Sequence, residues 1–264
     1  MNSRTGADFE KAIRELDAAL YSVIPSQTSE EDKESLLTIQ NAVRNSKDKY
    51  VYLEIGSHLG GSIQPYLLDP KCEKIYSIDT RPETQPDERY PEGYKCGQNT
   101  TQRMLDNLEK VSARALGKIV VFEDDAANIG RAKINPKADV CFIDGEHTNV
   151  RVFSDFNFCR SVLNEDGVIV FHDSDIVFEG IQAILKGLKR ERAGFNAYFL
   201  SGSVFVVSFG GSGVDKREEV RALRRRTFRA NIWKRLLLSV FPNVGTRRRL
   251  ARFRRWLSGA SRKQ

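Results

Sequence analysis

Two short stretches hold most of the residues able to do chemistry. In Cys141-Phe-Ile-Asp-Gly-Glu-His147 an apolar run ends at Asp144 and is followed by Glu146 and His147. In Gly167-Val-Ile-Val-Phe-His-Asp173 a second run ends at His172 and Asp173. Residues at the ends of neighbouring parallel strands share one edge of a sheet. Asp144, His172 and Asp173 would converge there as hard oxygen and imidazole ligands, a set suited to a divalent cation such as Mg²⁺ or Mn²⁺. His147 has an unperturbed pKa of about 6.5, which suits a group that takes a proton near neutral pH. Glu146 beside it is the competing carboxylate.

A third stretch, Tyr50-Val-Tyr-Leu-Glu-Ile-Gly-Ser-His-Leu-Gly-Gly-Ser62, reads as a strand that breaks into a glycine- and serine-rich turn and then a helix. Such a turn (Gly56, Ser57, Gly60, Gly61, Ser62) brings backbone N–H groups and a helix N-terminus close to a ligand. Glu54 precedes it, and Asp79 closes the next apolar run, where a carboxylate can accept from both hydroxyls of a ribose. A dinucleotide site calls for Gly-x-Gly-x-x-Gly. Here His58 follows Gly56-Ser57, so the second glycine, which admits a pyrophosphate, is absent. An acidic strand end suits a cationic sulfonium ligand better than a phosphate.

The elements that must position these groups alternate. Strands are expected at Tyr50–Ile55, Lys74–Ile78, Lys118–Phe122, Asp139–Ile143 and Gly167–Phe171. Helices are expected at Ser62–Leu68, Thr100–Val111, Val150–Leu163 and Phe178–Arg190, with a short segment near Ala126–Ala132. Asn196–Leu200 and Ser203–Phe209, split by Ser201-Gly202, read as a hairpin. The pattern implies an α/β fold with a mostly parallel sheet covered on both faces. Before it, apolar spacing predicts one helix over 7–24, ended by Pro25, and a second opened by a Thr28/Glu31 capping box. The long polar segment Arg81–Asn99 could form a lid carrying Tyr90 and Tyr94.

Four motifs in order, Leu53–Ser57 with Gly60–Ser62, Ser77–Thr80, Cys141–His147 and Gly167–Asp173, make the chain resemble the class I S-adenosylmethionine-dependent methyltransferases. Within them it is most similar to the macrocin-type and catechol-type small-molecule O-methyltransferases. The resemblance covers roughly residues 50–209. It implies a Rossmann-like seven-stranded sheet ending in an antiparallel hairpin. It also implies S-adenosyl-L-methionine bound by Glu54, Gly56, Ser57, Gly60, Gly61, Ser62, Asp79 and Asp125, with Asp124 the alternative at the adenine. Metal ligands are implied at Asp144 and Asp173, with His172 or Ser174 where relatives carry Asp or Asn. The catalytic base is implied at His147, or at Glu146 as in macrocin-type members. The expected acceptor is a hydroxyl of a sugar, glycoconjugate or other small polyol. An RNA methyltransferase and a non-catalytic cofactor-binding scaffold are the rival readings.

The net charge of +7 is unevenly spread: residues 216–264 hold 17 Lys/Arg and two Asp/Glu, which leaves 25 basic and 33 acidic residues in 1–215. We therefore divide the chain into an N-terminal helical cap (1–49), a cofactor-binding domain (50–212) and a basic helical tail (213–264). Helices are expected at Lys216–Val240 and Thr246–Ser258. Leucine and tryptophan opposite arginine favour an anionic membrane surface as partner over nucleic acid. A homo-oligomer is compatible with the same tail. No run of about 18 apolar residues is present, and the four cysteines show no Cys-x-x-Cys spacing. A reduced, cytoplasmic protein, peripheral on the inner face of the membrane, is the expectation.

Overall fold

The structure is a computed structural model and describes residues 6–228, together with 232, 236 and 238–240. In chain order it contains α1 (Gly6–Arg14), α2 (Glu30–Arg44), β1 (Tyr50–Ile55), α3 (Gln64–Leu68), β2 (Cys72–Ile78), β3 (Thr84–Asp87) and β4 (Tyr90–Lys95). These are followed by α4 (Thr101–Ser112), β5 (Ile119–Phe122), β6 (Ala138–Ile143), α5 (Asn149–Val162), β7 (Leu163–Phe171), α6 (Phe178–Arg190), β8 (Phe195–Phe199), β9 (Phe205–Phe209) and α7 (Glu218–Arg226). Seven strands form one sheet in the order β5-β2-β1-β6-β7-β9-β8. All neighbours are parallel except β9, which runs antiparallel to both β7 and β8. The expected seven-stranded Rossmann-like sheet with its terminal hairpin is present.

β1 and β6 are buried at every position, as strands covered on both faces must be. One apolar cluster packs Tyr52, Val140 and Val168 against α2, α3 and α4. The other packs Leu53, Cys141 and Ile169 against α5 and α6. Successive side chains point to opposite faces, so single strands feed both cores. The register aligns the strand ends: Ile55 pairs with Ile78 and Ile143, Ile78 with Phe122, and Ile143 with Phe171. The next residue on several strands is held at the same level. Gly56 N–H donates to Ile78 O, Asp144 N–H to Ile55 O, and His172 N–H to Ile143 O. Every chemistry-bearing motif therefore emerges at one carboxyl edge.

Several elements differ from the sequence expectation. The helix expected over 7–24 stops at Arg14, because Leu16 turns to φ 52°, and a short 3-10 turn at Ala18–Tyr21 follows. The capping box at the next helix is one residue later than expected. Ser29 accepts from Asp32 N–H, and Asp32 accepts from Ser29 N–H in return. Thr28 is thus left free to face the site. The segment near 126–132 is two 3-10 turns. The polar stretch after β2 is the ordered antiparallel hairpin β3–β4. The tail helix expected at Thr246–Ser258 lies outside the described residues. All four cysteines are buried and free.

Candidate active site

At the carboxyl edge of the sheet lies a cavity of about 340 Å³. Its wall takes Gly56, Ser57, His58, Gly61, Ser62 and Asp79 from the first two strand ends, and Asp144, His147, His172 and Asp173 from the next two. The remainder comes from Ser26–Ser29 and Asp32 on the N-terminal side and from Gln85, Arg89, Tyr94, Cys96 and Asn99 around the β3–β4 hairpin. The N-terminal helices are therefore part of the site. Buried Gln64 ties them down: its amide oxygen accepts from the N–H groups of Val23 and Ile24, and its amide nitrogen donates to the carbonyls of Tyr21, Ile24 and Gly61. A smaller cavity of about 110 Å³ adjoins across Gly56 and Asp79, and is lined by Ile78, Asp124, Ala126, Glu146, Arg151 and Asp155 among others.

The turn after β1 is built by close approach. Gly56 has φ +91°, and a Cβ there would sit 2.3 Å from the carbonyl oxygen of Asp144. Only glycine lets the two strand ends come this near. His58, standing where a second glycine would be easiest, has φ 43°. Its N–H donates to Asp79 Oδ2 at 2.8 Å and its Nε2 lies 2.9 Å from the Cys96 carbonyl. Asp79 also accepts from the N–H of Arg81 at 2.8 Å. Glu54 is fully buried and does not line the cavity. It accepts from the hydroxyls of Tyr52, at 3.0 Å, and of Ser62. Burial pushes its pKa up to about 8, only partly offset by those hydroxyls, and the charge of Asp144 adds to the rise. Glu54 thus braces the turn as a largely neutral acid at pH 7. Gly60 packs on Leu108 behind the turn.

Of the two candidates after β5, Asp124 faces the smaller cavity. Asp125 instead caps a 3-10 turn through Ala127 N–H at 2.8 Å and pairs with Arg151 at 2.7 Å. Burial works against its charge, but the Arg151 hydrogen bond outweighs it and its pKa is lowered.

The expected Asp144, His172 and Asp173 lie together, and His147 joins them. Single ligand atoms of Asp144, His147 and Asp173 all lie within 4.8 Å of one another. His147 Nε2 is 3.3 Å from Asp173 Oδ2 and 3.8 Å from Asp144 Oδ1. His172 turns one nitrogen toward this cluster and the other toward Asp32. Its Nδ1 lies 2.9 Å from Asp144 Oδ1, and its Nε2 faces Asp32 Oδ2 at 3.4 Å, an ion-pair distance without a formed hydrogen bond. It orients Asp144, and its Nδ1 also lies 3.8 Å from Asp173 Oδ2. Glu146 accepts from the Thr148 hydroxyl at 2.7 Å and lines the smaller cavity, away from this cluster.

Charge is tightly balanced here. Burial opposes a charged His147, but hydrogen bonds to Asp144 and Asp87, with the charges of Asp144 and Asp173, push its pKa up to about 9. Burial would raise Asp144, yet the charge of His172 and bonds from both histidines hold it at about 2. For Asp173 burial outweighs the histidine charges and its pKa is raised. Asp173 also sits at φ 45°. A non-glycine residue held in this region is the kind of backbone strain that clusters at functional sites.

Sequence reading missed Asp87, Arg89, Asp32 and Asp155. Asp87 is gripped by Arg89, with Nε 2.8 Å from Oδ1 and Nη2 2.6 Å from Oδ2, and takes His147 Nδ1 at 2.9 Å. Arg89 Nη2 also lies 2.9 Å from His147 Nδ1. With Nδ1 protonated, the two donors share the Asp87 carboxylate and do not bond to each other.

Residues 53–174, from the β1 turn through Asp173, match the family model described as a methyltransferase domain. The similarity of this stretch is to a methyltransferase domain. An uncharacterized protein of Acanthamoeba polyphaga mimivirus is 27% identical over 130 residues, which is 48% of this chain and 52% of that protein. The match thus spans about half the length of that curated relative. Among solved structures, the O-methyltransferase TomG from Streptomyces achromogenes aligns over 80% of this chain and 92% of its own, with 13% identity and a TM-score of 0.49. The precorrin-6y C5,15-methyltransferase from Geobacter metallireducens aligns over 70% of this chain and 92% of its own, with 16% identity and a TM-score of 0.46. Within the matched stretch, the β1 turn, Asp79 and the Asp144–His147–Asp173 cluster line one cavity.

Proposed function

We propose that the protein transfers the methyl group of S-adenosylmethionine to a hydroxyl oxygen of a sugar, glycoconjugate or other small polyol. The observation that carries the reading is the Asp144–His147–Asp173 cluster, facing the same cavity as the glycine turn and Asp79. The cavity wall is rich in hydroxyl and amide side chains, with Gln27, Thr28, Ser29, Gln85 and Asn99 supplying donors and acceptors. That chemistry suits a polyhydroxylated acceptor better than a flat apolar one.

The donor set of two carboxylates and one imidazole fits a divalent cation, with Asp144, Asp173 and the Nε2 of His147 as its ligands. A cation bound there would hold neighbouring hydroxyls of the acceptor and lower their pKa. His147 carries a proton near neutral pH, so taking up a cation releases that proton. The remaining work belongs to the chain. Asp87 and Arg89 fix the His147 ring, His172 with Asp32 behind it fixes Asp144, and the β3–β4 hairpin shields the cavity from water. As the oxygen–methyl bond forms and the sulfur–methyl bond breaks, the hydroxyl loses its proton. The products are the methyl ether, S-adenosylhomocysteine and one proton.

The test is incubation of the full chain with methyl-labelled S-adenosylmethionine and a panel of sugars and polyols, after chelation and after adding back Mg²⁺ or Mn²⁺. Cation-dependent label in an ether linkage is the expected result. Label found only on nitrogen, carbon or RNA would overturn the reading, as would failure of the cofactor to bind.

A further inference from the structure

The chain beyond the sheet presents a surface that the site does not use. α7 packs inward through Val220 and Leu223, and Leu238 is buried against the apolar cluster on the other face of the sheet. Phe228, Ile232, Leu236 and Val240, in contrast, are 61%, 41%, 51% and 64% exposed. They recur at every fourth residue, and the described residues among 232–240 are helical. A step of four returns to the same side of a helix, the spacing of the helical Ile232, Leu236 and Val240, while Phe228 follows the end of α7 at Arg226. Leu238, two residues from Leu236, falls on the opposite side.

Charge accompanies the stripe. Arg221, Arg224 and Arg225 join Phe228 around a shallow concavity of about 460 Å³. Arg224 lies over the ring of Tyr198 at 4.4 Å, Arg225 pairs with Glu218, and Arg226 pairs with Glu34. These two pairs leave a large excess, since residues 216–240 carry nine Lys/Arg against two Glu.

We propose that this face is a docking surface for an anionic membrane, with the apolar stripe entering the headgroup boundary and the arginines bound to lipid phosphates. Both halves of the surface are then satisfied by one partner. Nucleic acid would take the arginines but gives Ile232, Leu236 and Val240 nothing to bury against. A second copy meeting across a two-fold axis would oppose Arg221, Arg224 and Arg225 to the same three arginines. The proposal does not depend on which acceptor is methylated.

The experiment is co-sedimentation of the full chain with vesicles of phosphatidylcholine alone and of phosphatidylcholine with phosphatidylserine, at low and high salt. Binding only to the anionic vesicles, released by salt, is expected. Arg221→Gln/Arg224→Gln/Arg225→Gln should lower partitioning by roughly a hundredfold. Ile232→Glu/Leu236→Glu should lower it at least tenfold, with cofactor affinity unchanged. The wild-type comparison of lipid and salt needs no variant, so a variant that misfolds does not spoil the test. Absence of binding to anionic vesicles overturns the proposal. So does binding that ignores lipid charge, RNA retention without vesicle binding, or a dimer dissolved by the Glu substitutions when vesicles are ignored.

Discussion

His147 Nδ1 stands 2.9 Å from Asp87 Oδ2, and this contact fastens the β3–β4 hairpin to the loop after β6. The backbone repeats the link, with Glu88 N–H donating to the His147 carbonyl at 3.0 Å. Residues far apart in the chain thereby close one wall of the cavity and set the charge of the imidazole. The hairpin and the cluster behave as one unit.

Removing the carboxylate should separate them. In Asp87→Ala the His147 pKa, about 9 in the intact protein, is expected to fall by one unit or more, read by NMR titration of the ring. Arg89 loses its two-point grip on Asp87 at the same time, the hairpin opens, and methyl transfer drops by about 10–100-fold. Asp87→Asn keeps the shape and removes the charge, so its His147 pKa should fall while hairpin protection in hydrogen exchange stays closer to wild type. A His147 pKa unmoved in both variants would refute the coupling.

This wall shows where sequence reading stopped. The strands were legible because buried parallel strands are continuous apolar runs, and each motif sits where such a run ends. The hairpin was not, because Pro86, Pro91 and the charged residues around them carry no strand signal. Their pairing is imposed by Asp87, Arg89 and His147 from outside the segment. The direction in which the His172 ring turns was equally hidden. It depends on Asp32, more than a hundred residues upstream, occupying the space that the His172 Nε2 faces. Adjacent residues in sequence do not reveal which way an imidazole turns.

The cluster itself makes a sharp prediction. Asp144→Asn and Asp173→Asn should each lower kcat by at least 10²-fold while leaving the affinity for S-adenosylhomocysteine within a few-fold. Asp144 also holds His172, so its substitution should melt earlier than that of Asp173. Calorimetry with Mn²⁺ should show lost cation binding in both. His172→Asn, which removes a positioning group and no ligand, should keep measurable cation binding. If it instead abolished binding as fully as Asp173→Asn, the ligand set drawn above would be wrong.

Asp155 on α5 lines the smaller cavity with both carboxylate oxygens buried and without hydrogen-bond partners, while Arg151 Nε stands 3.3 Å away. Burial pushes its pKa up to about 7, against the lowering charge of Arg151. The sign follows from linkage. Between about 4, the unfolded value, and about 7, the folded state binds more protons than the unfolded one, so stability falls as pH rises and levels off above 7. Asp155→Asn should remove this loss and gain on the order of 2–4 kcal/mol at pH 8, with little gain at pH 4. Denaturant melts at the two pH values check it. A gain equal at both would show that desolvation of the carboxylate is not the cause.

Gly56 joins the two ends of the site, since its Cα lies against the backbone of Asp144 and Gly145. Ala at this position meets two penalties at once. It must hold φ near +91°, and its Cβ would come 2.3 Å from the Asp144 carbonyl oxygen. The first costs about 1–2 kcal/mol, and relieving the second means moving β1 and β6 apart where Asp144 N–H bonds Ile55 O. Gly56→Ala is therefore expected to lose about 3 kcal/mol or more of stability. At low temperature, where it stays folded, it should lose affinity for the cofactor and for a divalent cation together. Gly60→Ala is the control: it has φ +85° but meets only the flexible end of Leu108 at 3.0–3.1 Å. Its loss should fall on cofactor binding and spare the cation. Calorimetry of both ligands with both variants separates a strained turn from a shared wall, and cation binding untouched in Gly56→Ala would show that the two ends of the cavity are not mechanically joined.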